Sequence, residues 1–301
     1  MEGAYYNGQY LNRLERLGYS QAEIDNKLES TFEEMFYGPE GVRLCHCAGP
    51  DMMYIEDTGN HDVRTEGMSY AMMFCVQMNR QKEFDCLWRW VVTHMYLTEG
   101  ENAGYFAWSC HTDGSKNSDG PAPDGEEFFA MSLFFAANRW GSGEGVLDYA
   151  SWARRILHAC VHKGEEAGSG FPMWNPENHL IKFVPNCEFT DPSYHLPHFY
   201  ELFALWSDEC DRPFWHAAAA ASRQYLRKAC HARTGLSAEY AEYDGRPHRG
   251  DQPDRHDWFF SDAYRTLGNI ALDAQWFGDK DGWAQETAAH IQQFFEEKEH
   301  G

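Results

Sequence analysis

The chain has 301 residues, enough for one large domain or two ordinary ones with a substantial buried core. Its 47 acidic residues outnumber 25 basic ones, and the formal net charge of −22 argues against a nucleic acid or an anionic membrane as partner. A neutral ligand would not be repelled, and the 16% of aromatic residues could stack on sugar rings or simply fill a core.

The sequence also bears on cellular location. No run approaches the ~20 apolar residues of a membrane-spanning helix, and the start MEGAYYNGQYLNRLERLGYS lacks the basic segment and apolar stretch of a secretory signal. The nine cysteines are scattered, several in apolar helical contexts such as that of Cys75, which favours reduced, buried thiols. We therefore predict a cytoplasmic protein.

Along the chain, helical patterns alternate with long connections rich in Gly, Pro, Asn and Asp. The predicted helices cover residues 9–17, 20–36, 64–78, 81–95, 125–140, 148–163, 194–205, 212–229, 261–277 and 282–298. Helices that are apolar nearly all round, such as FFAMSLFFAANRW at 128–140, alternate with helices that keep a polar face, such as 217–229. This alternation predicts an all-α fold of two helical layers, and no linker composition divides the single domain predicted over 1–301.

Two predicted connections, 103–124 and 165–193, exceed twenty residues, a length that usually indicates functional loops. Both carry aromatic side chains, including Trp108 and Trp174. The extended piece LIKFVP at 180–185 predicts a small hairpin, and the charged, turn-rich stretch 244–257 predicts a surface loop.

Two acids stand at predicted helix starts. Glu66 lies in DTGNHDVRTEGMSYAMM (57–73), and Met68, Met72 and Met73 on the helix behind it could give a proton donor a raised pKa. Asp262 lies in WFFSDAYR almost two hundred residues later. Two carboxylates among aromatic side chains are what hydrolysis of a sugar bond requires. The alternative is that both acids are ordinary helix caps.

Asp124 and Tyr194 are further candidates. Asp124 in GPAPDGEEFF precedes a buried helix, where it could equally be the N-cap, with Glu127 at the capping-box position. Tyr194 in DPSYHLPHFYE opens another buried helix, and Asp191 is the expected cap there.

Metal and cofactor chemistry has little support in the sequence. The run Cys45-His46-Cys47 lacks a second Cys/His pair at zinc spacing. No Gly-rich phosphate loop and no G-x-S-x-G turn occurs. We predict neither a metal nor a cofactor.

Five long strings carry a resemblance to a known family: DTGNHDVRTEGMSYAMM, AGYFAWSCHTDGSKNS, GPAPDGEEFFA, DPSYHLPHFYELF and FFSDAYR. With the segments between them, from the first helix to about Lys298, the chain resembles glycoside hydrolase family 8. It is most similar to members that release xylose from the reducing end of xylo-oligosaccharides. The resemblance implies an (α/α)6 toroid, in which six inner helices point their N-terminal ends at a substrate cleft, and an inverting mechanism without a cofactor.

The resemblance also implies roles for individual residues. Glu66 matches the general acid and Asp262 the general base of the family. Asp124 matches an acid that contacts the distorted sugar, and Tyr194 a tyrosine that helps hold the attacking water. Segments that line the cleft in relatives contain Arg64, Trp108 and Trp174.

A helix N-terminus stabilises an ionised carboxylate, which suits a base at Asp262 but not an acid at Glu66. Burial and the negative charge of Asp124 would have to outweigh the helix dipole at Glu66.

Family members continue beyond the position of Gly301, so we expect a toroid incomplete at its C-terminal end. The additional part includes a Leu-His-Pro loop that blocks the cleft in the xylose-releasing members. Two alternatives therefore stay open beside xylose release from xylo-oligosaccharides. One is an endo-acting β-1,4-xylanase or glucanase of the same family, and the other is a catalytically silent sugar-binding fragment. Self-association would cover exposed helices, but no oligomer is predicted.

Overall fold

The computed structural model describes residues 2–165, 169–250 and 255–299. Its α-helices are α1 Ala4–Asn7, α2 Arg13–Arg16, α3 Gln21–Tyr37, α4 Thr65–Gln77, α5 Gln81–Trp90, α6 Pro123–Trp140, α7 Tyr149–His162, α8 Pro197–Trp206, α9 Arg212–Ala229, α10 Arg265–Phe277 and α11 Trp283–Glu299. A π-helical turn at Val91–Met95 extends α5, and 3₁₀ turns form at Gly145–Leu147, Pro192–Tyr194 and Ser261–Tyr264. Among the described residues, no helix is long and apolar enough to cross a membrane.

The strands are short: β1 Cys45–Cys47, β2 Met53–Ile55, β3 Val63–Arg64 and β4 Ser109–Cys110. Strand β1 pairs antiparallel with β2, and β3 with β4. The prediction of an all-α fold is confirmed, because these two small ribbons only connect helices.

Most helix bounds agree with the sequence patterns, and the capping chemistry explains why. Helix α3 begins after Ser20, whose hydroxyl accepts the N–H of Glu23 while the Glu23 carboxylate accepts the N–H of Ser20. The predicted helix at 9–17 is wrong, since α1 and α2 are two short helices. Gly8 ends α1 in the left-handed conformation (φ 69°), and Asn12 starts α2 by accepting the N–H of Leu14.

The sequence predicted a small hairpin at 180–185 and a surface loop at 244–257, and the structure describes each as follows. Residues 180–185 form a single antiparallel bridge, Trp174 with Ile181, in place of a strand pair. In 244–257, residues 251–254 lie outside the described part, and the described residues contain neither helix nor strand.

The described residues cluster into two compact units. The first unit is Leu11–Ala159, and the second unit contains the described residues of 1–10 and 160–301. The prediction of one domain over 1–301 stays a prediction.

In the first unit, α4 packs against both α5 and α6. The core between these helices includes Met68, Met72 and Phe129, all without solvent exposure. Gly125 makes the contact of α4 with α6 close, because a Cβ there would lie 2.5 Å from the Cβ of Thr65. The first turns of the two helices therefore touch.

In the second unit, α8 packs against α9 and α10, and α10 also contacts α1 and α11. Its core is aromatic: the ring of Trp215 meets those of Trp174 and Phe203 edge to face, with centroids 4.9 and 5.0 Å away. The N-terminal segment joins this unit through a bridge between Glu2 and Gly278.

Candidate active site

In the first unit, Glu66 is placed by the junction of a strand and a helix. Strand β3 ends at Arg64, and the N–H of Thr65 donates to the carbonyl of Trp108 at 3.0 Å as α4 begins. Arg64 is the N-cap residue of α4, and Glu66 is the second residue of the helix. The alternative that Glu66 is an ordinary helix cap is therefore wrong.

Arg64 and Trp108, both predicted to bind substrate, lie together. The Arg64 guanidinium is 5.1 Å from the centroid of the Trp108 ring. Its Nε and Nη2 donate to the two carboxylate oxygens of Asp62 at 3.0 and 3.4 Å. The Asp62 carboxylate also accepts from the hydroxyl of Ser109 at 3.0 Å. Arg64 is thus fixed by Asp62, and Trp108 keeps a half-buried ring against it.

Asp124 lies at the start of α6, but it is not the cap either. The helix begins with Pro123 after Ala122, a position that proline favours because its missing N–H would have no helical partner. Asp124 is buried, and its Oδ1 accepts the N–H of Gly125 at 3.0 Å. Since Gly125 touches Thr65, Asp124 and Glu66 extend from adjacent helix turns.

Glu126 is a third carboxyl of this region, and it was not predicted from the sequence. Its side chain is fully buried, and its Oε1 accepts the N–H of Phe106 at 3.0 Å. Burial raises the pKa of Glu126 well above its usual range, and the carboxylates of Asp124 and Glu66 raise it further. The available signal was the helix itself, because a helix apolar on all sides leaves no solvent-facing position for an acid.

In the second unit, Asp262 lies in the 3₁₀ turn that leads into α10. Phe260 precedes this turn as the N-cap residue, so the capping alternative is wrong for Asp262 as well. Nη2 of Arg265 lies 3.0 Å from Oδ2 of Asp262, and the same guanidinium is 5.6 Å from the ring centroid of Tyr194. The structure thus brings Asp262 and Tyr194 together around Arg265, a residue that the sequence argument did not select.

The turn before Tyr194 is capped as predicted. The Asp191 carboxylate accepts the N–H of Ser193 at 2.7 Å, and the Asp191 carbonyl accepts the N–H of Tyr194 at 3.0 Å. The Asn269 amide of α10 donates to the carbonyl of Ser193 at 2.7 Å. Helix α10 therefore holds the turn that carries Tyr194.

Asp191 is itself unusual in its environment, since it is only 1% exposed. Burial raises the pKa of Asp191 to about 8, the guanidinium of Arg265 opposes this rise, and the carboxylate of Asp262 adds to it. The second unit therefore also contains a buried carboxyl, that of Asp191, near its candidate general base Asp262.

Trp174 does not resemble the other predicted site residues. Its ring is 1% exposed and meets the rings of Tyr200 and Trp215 edge to face. A ring with almost no exposed surface cannot stack on a sugar. The substrate-binding role predicted for Trp174 is corrected to a role in the aromatic core of the second unit.

Comparison with known proteins shows the family. Residues 19–299 match the model of glycosyl hydrolases family 8, and the chain belongs to this family. It is therefore a glycoside hydrolase with the all-α, (α/α)6 class of fold, as the sequence predicted.

Within this family, the chain is highly similar to proteins with one particular activity. The chain is 55% identical over 299 residues to a reducing end xylose-releasing exo-oligoxylanase from Halalkalibacterium halodurans, covering 99% of this chain and 76% of the relative. It is 56% identical over 278 residues to another from Bifidobacterium adolescentis, covering 92% and 72%. The structure of Rex8A from Paenibacillus barcinonensis complexed with xylose matches with a TM-score of 0.95 and 55% identity, covering 98% of this chain and 78% of that one.

Proposed function

We propose that this glycoside hydrolase cleaves xylo-oligosaccharides and releases xylose from their reducing end, with inversion of the anomeric centre. The observation that carries the proposal is 55–56% identity, over at least 92% of the chain, to three relatives that are each named reducing-end xylose-releasing exo-oligoxylanases. Relatives named endoglucanases are 26–28% identical. The similarity therefore favours exo over endo action.

Glu66 is the general acid of the proposed mechanism. It gives its proton to the glycosidic oxygen as the bond to the leaving xylose breaks. The hydroxyl of Thr65 lies 3.3 Å from Oε2 of Glu66, and the buried carboxyl of Asp124 extends from the adjacent turn. Carboxyls that share a site disfavour simultaneous ionisation, which favours a group that holds its proton until catalysis.

Asp262 is the general base. Its carboxylate takes a proton from water while the water oxygen attacks the anomeric carbon from the face opposite to the leaving group. The guanidinium of Arg265 lies 3.0 Å from this carboxylate. The side chain of Asp262 is 42% exposed, so water can reach it. Tyr194, stacked near the same guanidinium, helps hold that water.

Asp124, Arg64 and Trp108 bind the sugar. Arg64 and Trp108 form one surface, because the cation lies over the ring. Asp124 contacts the sugar at the cleavage point. Inverting hydrolases keep their two carboxyls about 6.5–9.5 Å apart to admit a water.

The cytoplasmic location stays a prediction.

The test is incubation of the purified chain with xylotriose, xylohexaose and cello-oligosaccharides, followed by NMR from the first seconds. We expect xylose and xylobiose from xylotriose. The new reducing end of xylobiose should appear first as the anomer opposite to that of the cleaved bond. From xylohexaose, xylose and xylopentaose should precede all shorter products.

Three results would contradict the proposal. An early ladder of intermediate products from xylohexaose would indicate endo action, and cleavage of cello-oligosaccharides would indicate a glucanase. Binding of xylotriose by the folded protein without release of xylose would indicate a sugar-binding protein.

A further inference from the structure

Glu126 has no part in the mechanism above, yet it lies in the same helix turn as Asp124. Its Oε1 accepts the N–H of Phe106 at 3.0 Å. Its Oε2 is buried and has no hydrogen-bond partner within residues 2–165, 169–250 and 255–299. Buried polar atoms without partners are uncommon and call for an explanation.

The bond from Phe106 to Glu126 anchors a short backbone segment, residues 106–108. The next two N–H groups of the 106–108 segment donate to the carbonyls of Met95 (2.8 Å) and Gly120 (3.0 Å). Only the first of the three N–H groups is held by a side chain. The carboxyl of Glu126 therefore fixes the end of the 106–108 segment that faces α6.

The other end of the segment leads to Glu66. The carbonyl of Trp108 accepts the N–H of Thr65 at 3.0 Å, one residue before Glu66. Gly125, adjacent to Glu126, touches the side chain of Thr65. Two short paths thus connect Glu126 to the start of α4, one through the 106–108 segment and one through α6.

The cost of burying a charge limits the protonation state in which Glu126 can hold the 106–108 segment. A buried carboxylate is costly unless it is paired and fully hydrogen-bonded, and one oxygen of Glu126 lacks a hydrogen-bond partner among the described residues. The charged groups that face it from its own helix and from α4 are Asp124 and Glu66, and both raise its pKa. The neutral acid avoids the buried charge, and its Oε1 can still accept the N–H of Phe106.

We propose that Glu126 is a positioning residue that acts as a neutral carboxylic acid. It ties the first turn of α6 to the 106–108 segment and so places Trp108 and Glu66 without adding a further negative charge. The expected effects on kcat rest on the proposed hydrolysis. The expected effects on the 106–108 segment and on the protonation of Glu126 do not.

The experiment compares Glu126→Gln, Glu126→Ala and the control Met131→Ala. Gln keeps the shape, the neutral state and the acceptor for Phe106, whereas Ala removes the tie. Met131 is fully buried in the same helix, so its truncation leaves a cavity of similar size without removing a hydrogen bond to the 106–108 segment.

Two readouts do not need turnover. Hydrogen exchange of the Phe106 and Trp108 amides should accelerate in Glu126→Ala and stay slow in Glu126→Gln and Met131→Ala. The infrared absorption of protonated buried carboxyls at neutral pH should lose one component in Glu126→Gln relative to the unmodified chain. Fast exchange of these amides in the Gln variant, or no difference in this absorption between the unmodified chain and Glu126→Gln, would overturn the proposal even if no sugar is cleaved.

The kinetic readout uses xylotriose well below the unfolding temperature of each variant. We expect kcat of Glu126→Ala to fall ~10–100-fold, the scale of a small misplacement of catalytic groups, while Met131→Ala keeps kcat despite its lower stability. Glu126→Gln should keep kcat within about threefold, with both limbs of the pH profile unmoved, because no charge is lost. An alkaline limb that moves to lower pH in Glu126→Gln would mean that Glu126 is ionised. An unchanged kcat in Glu126→Ala would refute positioning.

Discussion

The two units place a carboxylate near the start of a helix in opposite surroundings. In the first unit, Glu66 lies in the first turn of α4, which touches the turn of α6 that carries Asp124 and Glu126. The neighbouring guanidinium of Arg64 donates to Asp62 and not to Glu66. In the second unit, Asp262 has the guanidinium of Arg265 at 3.0 Å.

A helix dipole acts on both positions in the same direction, so it does not separate an acid from a base. The neighbouring charges differ, because acidic side chains lie beside Glu66 and the guanidinium of Arg265 lies beside Asp262. The comparison teaches that the proposed roles follow from side chains brought in by other segments of the chain.

The largest expected effect comes from removing either carboxylate. Glu66→Gln and Asp262→Asn should each lower kcat on xylotriose ~10²–10⁴-fold, the usual contribution of a general acid or base. Xylobiosyl fluoride separates the two, because fluoride leaves without a proton donor. It should restore turnover to Glu66→Gln but not to Asp262→Asn, as measured by fluoride release. If the fluoride restored turnover equally to both variants, Glu66 could not be assigned as the acid and Asp262 as the base.

Trp174→Ala should act on stability. Truncating a fully buried aromatic residue costs about 3–5 kcal/mol, so the unfolding temperature should fall steeply. The folded fraction should keep its KM for xylotriose, because the ring faces Tyr200 and Trp215. A raised KM in folded protein would restore a substrate-binding role for Trp174.

The buried carboxyl of the second unit should make stability depend on pH. The pKa of Asp191 is about 8 in the fold against an ordinary value of 3.8, so between these values the folded chain holds a proton that the unfolded chain has released. Its contribution to stability therefore falls as pH rises from 4 to 8. Asp191→Asn, which keeps the cap, should match the unmodified chain near pH 4 and exceed it by about 5 kcal/mol at pH 8, because each unit of the pKa difference corresponds to about 1.4 kcal/mol.

Denaturant unfolding of both proteins at several pH values measures this difference. Asp211→Asn is the control, because Asp211 is equally buried but bonds to His162 at 2.7 Å. It should lose stability at neutral pH, since it weakens the bond between buried Asp211 and half-buried His162. A stability difference between Asp191→Asn and the unmodified chain that does not vary with pH would show that Asp191 is ionised in the fold.

The smallest effect is expected at Trp108. Trp108→Ala should raise KM for xylotriose about fivefold, close to 1 kcal/mol, because it removes a stacking face and the contact of that ring with Arg64. Trp108→Phe should recover most of the loss. If kcat falls and KM does not change, Trp108 acts through the placement of Glu66 instead of through a sugar contact.

The sequence predicted the helices well because apolar periodicity and helix ends are local. It failed where the decisive contact is made by a distant segment. Glu126 and Arg265 acquire their significance only beside Phe106 and Asp262, and Trp174 lies in a long connection that the fold buries. The caps were misplaced for a local reason, because Pro123 in the first turn of α6 already indicated that the helix begins before Asp124.

Gly125 makes the first unit sensitive to mutation at a position that has no side chain. A single methyl group there would meet Thr65 at 2.5 Å and force the starts of α4 and α6 apart, carrying Glu66 and Asp124 with them. The acids themselves can be exchanged for amides of equal size, while the residue between Asp124 and Glu126 has no larger substitute. The position that tolerates least change in this site is one that carries no functional group.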